Sequence, residues 1–145
     1  MSYIIVPIDG SDHANKALDY AISISKATRD TLVLLNVQPR FEEVLETPPH
    51  NDEEISSDHY KKGEKALQAA AKRVVEANVQ YEKKIRTGLA TIEIAEEAKE
   101  RKANCIIMGS RGMGPVVSKA LGSVSYGVLH LAPCPLTLVP ANCEL

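Results

Sequence analysis

Tyr3-Ile4-Ile5-Val6-Pro7-Ile8-Asp9-Gly10-Ser11 is an apolar, β-branched run that stops at a turn, and an amphipathic pattern follows it at once. Ala14, Ala17, Leu18, Ala21 and Ile22 recur at helical spacing, which predicts a helix over residues 12–27. Thr31-Leu32-Val33-Leu34-Leu35-Asn36-Val37 is a second apolar run. Strands that are apolar on both sides and separated by helices belong to a parallel sheet covered on both faces.

The alternation continues along the chain. Residues 38–52 hold three prolines, four acidic residues and one aromatic, and read as a long loop. Asn51 and Glu54 have the spacing of a capping box that would open a helix across about 53–77, marked by Leu67, Ala70, Ala71, Val74 and Asn78. Val79, Tyr81 and Ile85 alternate with Gln80, Glu82 and Lys84, the pattern of a strand at a sheet edge. A third helix is expected over 90–102 with Ile92, Ala95 and Ala98 inward. Cys105-Ile106-Ile107-Met108 and Pro135-Leu136-Thr137-Leu138-Val139 are the last two strands, with a glycine-punctuated segment and a helix between them. Right-handed crossovers turn this order into an α/β fold. The expectation is a single domain over 1–145: a doubly wound open sheet of five parallel strands, order 3-2-1-4-5, with four helices on both faces.

Composition narrows the function. The chain has 145 residues, 44% of them hydrophobic and 25% charged, with a formal net charge of −2. A basic excess or basic face is missing, and with no Trp and one Phe there is little for bases to stack on, so nucleic acid is not expected as a partner. No apolar run reaches the roughly 18 residues that cross a bilayer, and the first residues read as a strand without a basic leader, so a cytoplasmic protein without membrane attachment is expected. Cys105, Cys134 and Cys143 have neither zinc-knuckle spacing nor an even count, which favours small, unreactive thiols. His13, His50, His59 and His130 are scattered, and only His13 falls near the segments that could bind a ligand.

In doubly wound sheets ligands sit beyond the carboxyl ends of the strands, where strand order reverses. The richest such segment is Met108-Gly109-Ser110-Arg111-Gly112-Met113-Gly114-Pro115, followed by Gly122-Ser123-Val124-Ser125. Glycines let the backbone approach a ligand closely. Gly122-Ser123 looks like a helix start with Ser123 as its cap, and free N–H groups there would favour a phosphate. The same cluster is also compatible with a plain turn and a helix opened by Pro115. It is not a Walker A loop, since Pro115-Val116 follows Gly114 where Lys-Ser/Thr is required, and Val117 breaks the dinucleotide fingerprint. A phospho-receiver is excluded as well, because Arg86-Thr87-Gly88 follows the third strand and Pro140-Ala141 the fifth.

The spacing Gly109-x2-Gly112-x9-Gly122-Ser123 resembles the nucleotide-binding signature of the ATP-binding universal stress proteins. The likeness extends over Ile5-Val6-Pro7-Ile8-Asp9-Gly10-Ser11, Leu34-Leu35-Asn36-Val37, Ile106-Ile107-Met108-Gly109-Ser110-Arg111-Gly112 and Cys134-Pro135-Leu136-Thr137-Leu138-Val139, nearly the whole chain. It implies a stress-response regulatory protein that binds ATP, AMP or ADP, with Mg2+ as a possible companion, at the ends of strands 1 and 4. Asp9, beside Pro7 and Ile8, would sit near the ribose, with a helix cap as its competing role. Val37 would read the adenine edge through its backbone. Met108, Gly109 and Gly112 would line the nucleotide, Arg111 would reach a phosphate or solvent, and Gly122, Ser123, Val124 and Ser125 would hold the phosphates. Asn104 stands where the family often has an aspartate, and Tyr126 where an acid would complete a capping box after Ser123. The stretch 109–125 has no acidic residue to hold a metal or orient water, so the alternative, an ATPase or phosphotransferase at the same site, would be slow. The family resemblance also implies a homodimer through the last strand, where Leu136, Leu138 and Val139 would otherwise form an exposed apolar edge.

Overall fold

The computed structural model describes residues 2–39, 52–110 and 122–144, with side chains described from residue 60 onward in the second of these stretches. Its elements run β1 (Tyr3–Pro7), α1 (Asp12–Thr28), β2 (Thr31–Gln38), α2 (Asp52–Glu76), β3 (Tyr81–Thr87), α3 (Ala90–Arg101), β4 (Cys105–Gly109), α4 (Ser123–Leu131) and β5 (Leu136–Val139). The strands form one sheet in the order β3-β2-β1-β4-β5 with every pair parallel, the doubly wound arrangement that the alternation of elements implied. Asn51, proposed to cap α2, lies outside the described residues.

Successive strand residues point to opposite faces, so each central strand feeds two cores. Ile4, Val6, Leu32, Leu34 and Ile107 pack with Ala17, Leu18, Ala21 and Ile22 of α1 and Leu67, Ala70, Ala71 and Val74 of α2. Ile5, Val33, Leu35, Ile106 and Met108 pack with Ile94 and Ala98 of α3 and Val128 of α4. Two helices therefore cover each face, and the central strands are buried over most of their length.

β3 is the half-exposed edge that its alternation suggested, with Glu82, Lys83 and Lys84 in solvent. Two expectations need correcting. Ile92 is 44% exposed, and the inward face of α3 is Ile94, Glu97 and Ala98. Glu97 is only 2% exposed because Arg86 Nη1 at 2.7 Å and Arg101 Nε at 2.6 Å hold its two oxygens. A charge at an inward position breaks the apolar period, and that displaced the predicted face. The second concerns β5. Val139 is buried within the chain, and Leu136 and Leu138 are partly buried against the α3–α4 core, so the apolar side chains of this edge strand are less exposed than expected. Asn104 donates its amide to both carboxylate oxygens of Asp30, 3.3 and 3.2 Å away, which ties the start of β4 to the start of β2.

Candidate functional site

The site begins with a missing donor. The β1–β2 ladder runs from Tyr3–Thr31 to Pro7–Leu35, and the Ile8 N–H extends it to the Leu35 carbonyl at 2.7 Å. The β1–β4 ladder holds only Ile4–Cys105 and Ile5–Ile106. The Tyr3 carbonyl accepts from the Asn104 N–H on the β4 side, and by alternation Pro7 faces the same way with no N–H to give. β1 and β4 part there, at the position where the strand order reverses.

A cleft with an empty volume of about 560 Å³, part of it open to solvent, occupies this point. Seven residues expected at a site line it: Pro7, Ile8 and Asp9 from the end of β1, Val37 from β2, Met108 and Gly109 from β4, and Val124 from α4. Ala14, Leu35, Asn36, Ala90 and Ile94 line it too and had not been singled out as ligands. The signal for Ala90 was Gly88 after β3, whose φ of 147° turns the chain into α3. Ala14, Leu35 and Ile94 are small or apolar core residues, and nothing in a sequence distinguishes a core position that borders a cleft. Arg111 and Gly112 lie outside the described residues.

Asp9 does not cap α1. Ser11 does, accepting the Ala14 N–H on its hydroxyl at 3.2 Å. Asp9 steadies that cap instead: Oδ1 accepts both the Ser11 N–H at 2.9 Å and the Ser11 hydroxyl at 2.5 Å. Both bonds fall on one oxygen, so Oδ2 takes neither. The carboxylate is exposed and borders the cleft.

The start of α4 differs from expectation by one residue. Gly122 is the cap (φ −62°, ψ 157°), Ser123 is the first helical residue, and no side chain caps the helix or places an acid in its first turn. The third helical position is therefore Ser125 and not Tyr126. The first bond inside the helix is from the Tyr126 N–H to the Gly122 carbonyl, 3.0 Å. The N–H groups of Ser123, Val124 and Ser125 have no intrahelical acceptor by position. Ser125, expected among the residues that hold the phosphates, directs its side chain within the chain instead. Its hydroxyl is buried and donates to the Gly109 carbonyl at 2.8 Å, while the Gly122 N–H donates to the Ser110 carbonyl at 2.8 Å. These two bonds fasten the helix start to the end of β4.

Gly109 is needed for packing as well as for access. A Cβ there would come within 2.9 Å of the His13 Cβ and 3.0 Å of the His13 backbone, so β4 meets the first turn of α1 directly. His13 Nδ1 is buried in that contact without a hydrogen-bond partner among the described residues.

The wall formed by α3 is held by charge. Arg86 on β3 reaches Glu93 at 2.9 Å, Glu97 at 2.7 Å and Glu100 at 3.1 Å, and Arg101 joins Glu97 to Glu82. Burial opposes ionisation of Glu97, but the hydrogen bonds from Arg101 and Arg86 outweigh it and hold the carboxyl below the usual carboxylate range. Burial pushes the Cys105 and Cys134 thiols up, which disfavours the thiolate. No three His, Cys, Asp or Glu side chains converge on a metal position among the described residues.

A model described as the universal stress protein family matches residues 1–140. The chain belongs to the universal stress protein family. Universal stress protein YxiE of Bacillus subtilis is 34% identical over 143 residues, covering 94% of this chain and 97% of that one. Two solved universal stress proteins share the fold. One from Arabidopsis thaliana, At3g01520, has AMP bound; it superposes with a TM-score of 0.73 at 20% identity, covering 99% of this chain and 94% of that chain. The other is in complex with cAMP, with a TM-score of 0.71 at 22% identity, covering 97% and 98%. No helix among the described residues of this universal stress protein is long and apolar enough to cross a membrane.

Proposed function

We propose that this universal stress protein is a regulatory domain over residues 1–145 that binds an adenine nucleotide, ATP or AMP, in the cleft between the ends of β1 and β4. The observation that carries the reading is the uncapped start of α4, fastened to the end of β4 and contributing Val124 to the cleft. A helix start with free N–H groups and no neighbouring acid favours an anion through both hydrogen bonding and the helix dipole. The bound AMP and cAMP of the two solved relatives support the same ligand class here.

The residues present fit such a ligand. Pro7, Ile8, Met108 and Gly109 would form the walls for base and sugar. Asp9 would accept from ribose hydroxyls, since an ionised carboxylate has acceptors only. The Val37 backbone would meet the base edge. The amides of Ser123, Val124 and Ser125 would hold phosphate beside Gly122, with Arg111 and Gly112 joining them as the resemblance implies and Mg2+ carried by the phosphates. Each bond to a charged phosphate oxygen contributes about 1.5–3 kcal/mol. Binding rather than turnover is the role, and it would be exercised in the cytoplasm by a homodimer formed through the unpaired backbone edge of β5.

Calorimetric titration with ATP, AMP and GTP tests this. ATP and AMP are expected to bind, GTP more weakly, and Gly122→Val to weaken ATP more than AMP. Absence of heat with both adenine nucleotides at millimolar concentration would refute the proposal, and turnover of several ATP per second would convert it into an enzyme.

A further inference from the structure

We infer that Asn36 is a positioning residue that keeps the backbone of Val37 open to the cleft, and thereby sets the preference for adenine; the base preference rests on the nucleotide reading above. Alternate residues of β2 address different neighbours. The Leu32 N–H donates to the Gln80 carbonyl and the Gln38 carbonyl accepts from the Gly88 N–H, so these residues face β3. The Thr31 N–H donates to the Ser2 carbonyl and the Leu35 carbonyl accepts from the Ile8 N–H, so these face β1. Val37 is the next residue on the β1 side. In an evenly spaced parallel ladder its N–H would take the Ile8 carbonyl, one step beyond the Ile8–Leu35 bond.

Among the described residues that bond is not made, and another donor stands in its place. The Asn36 side-chain amide donates to the Ile8 carbonyl at 2.7 Å, in a position only 6% exposed. The orientation of this amide is set from behind, because Gln38 Nε2 donates to Asn36 Oδ1. Both amides lie against Gly63 in the middle of α2, where a Cβ would overlap each of them. A buried side chain thus replaces a backbone bond, and the ladder ends one step early. The Val37 N–H and the carbonyl beside it are left facing the cleft that Val37 lines. A donor next to an acceptor matches the adenine edge, with its ring nitrogen acceptor and amino donor. Guanine and hypoxanthine present an N–H and a carbonyl in those places, the reverse pairing.

The test combines amide hydrogen exchange at Val37 with titrations of ATP and inosine triphosphate. In the wild type without nucleotide, the Val37 N–H should exchange at least about tenfold faster than that of Leu35, and ATP should slow it. In Asn36→Ala the Ile8 carbonyl is released to Val37, so its N–H should become protected without nucleotide. ATP affinity should then fall about tenfold or more while inosine triphosphate binding changes little, which brings their ratio toward one. Gly63→Ala, which improves helix propensity but displaces both amides, should move the same readouts in the same direction. A slowly exchanging Val37 N–H in the unliganded wild type overturns the proposal without any variant. So does equal loss of both nucleotides in Asn36→Ala with Val37 exchange unchanged. If the wild type binds no nucleotide, the base preference falls with the proposed ligand, whereas the exchange difference between wild type and Asn36→Ala still decides whether Asn36 holds the ladder open.

Discussion

α1 and α4 begin at the rim of the same cleft, and they treat their first N–H groups in opposite ways. At α1, Ser11 accepts from Ala14 and is itself held by Asp9, so the helix start is completed from within the chain. At α4, Gly122 offers no side chain and no acid follows in the first turn. A start that is capped gains stability from its own residues; one left to glycine forgoes only about 0.3 kcal/mol and keeps its donors for something else. The contrast separates the structural turn after β1 from the candidate ligand site beside β4, although both are Gly-Ser sequences that open a helix.

Erasing the contrast is the strongest test. Gly122 has φ −62° and ψ 157°, a conformation open to any residue, so Gly122→Asp should install a cap without backbone strain. The variant should melt slightly higher, with a stability gain of roughly 0.3–1 kcal/mol from the cap and the helix dipole together. Its ATP affinity should fall at least about 100-fold, since two bonds to charged oxygens represent roughly 3–6 kcal/mol. A variant that melts higher and binds ATP unchanged would show that α4 does not hold the phosphate.

The third helix start, α3, sharpens the comparison, because it too lacks a side-chain cap but carries Glu93 in its first turn, paired with Arg86. Here an ion pair to β3, not a side-chain cap, anchors the helix start. Glu97→Gln should cost about 3 kcal/mol at neutral pH in chemical denaturation, the low end for stripping one partner from a buried pair, since Arg86 and Arg101 keep other acids. The depressed folded-state pKa of Glu97 fixes the sign: its contribution is fully present above the ordinary carboxylate range and is lost as pH falls through the folded value. The gap between wild type and variant should close on acidification. A gap independent of pH would mean that packing rather than charge holds this wall.

The smallest effect is expected at the completed start. Ser11→Ala should lower stability by about 1 kcal/mol in the same denaturation experiment. Its nucleotide affinity should change far less than that of Gly122→Asp; an equal loss would erase the distinction between the two helix starts.

The central strands could be read directly because a parallel strand buried on both sides is apolar without interruption, as in Ile4-Ile5-Val6 and Leu32-Val33-Leu34-Leu35. The face of α3 could not, because Glu97 is inward only by virtue of two arginines distant in sequence or a turn away. The glycine spacing pointed to a candidate site on β4 and α4 but placed the cap at Ser123, since glycine and serine are both good caps and only the path of the chain distinguishes them. Asn36, Gln38 and Gly63 form a unit that exists only once α2 is laid on β2, and no local pattern announces it.

Pro7 gives the crevice a permanence that side chains alone would not. A gap between two strands ordinarily invites further pairing, and thermal motion would close it whenever donors and acceptors matched. An imino acid at that step withholds covalently a donor that pairing would need, so the seam resists closing, and a ligand of the proposed kind would not have to prise the sheet apart.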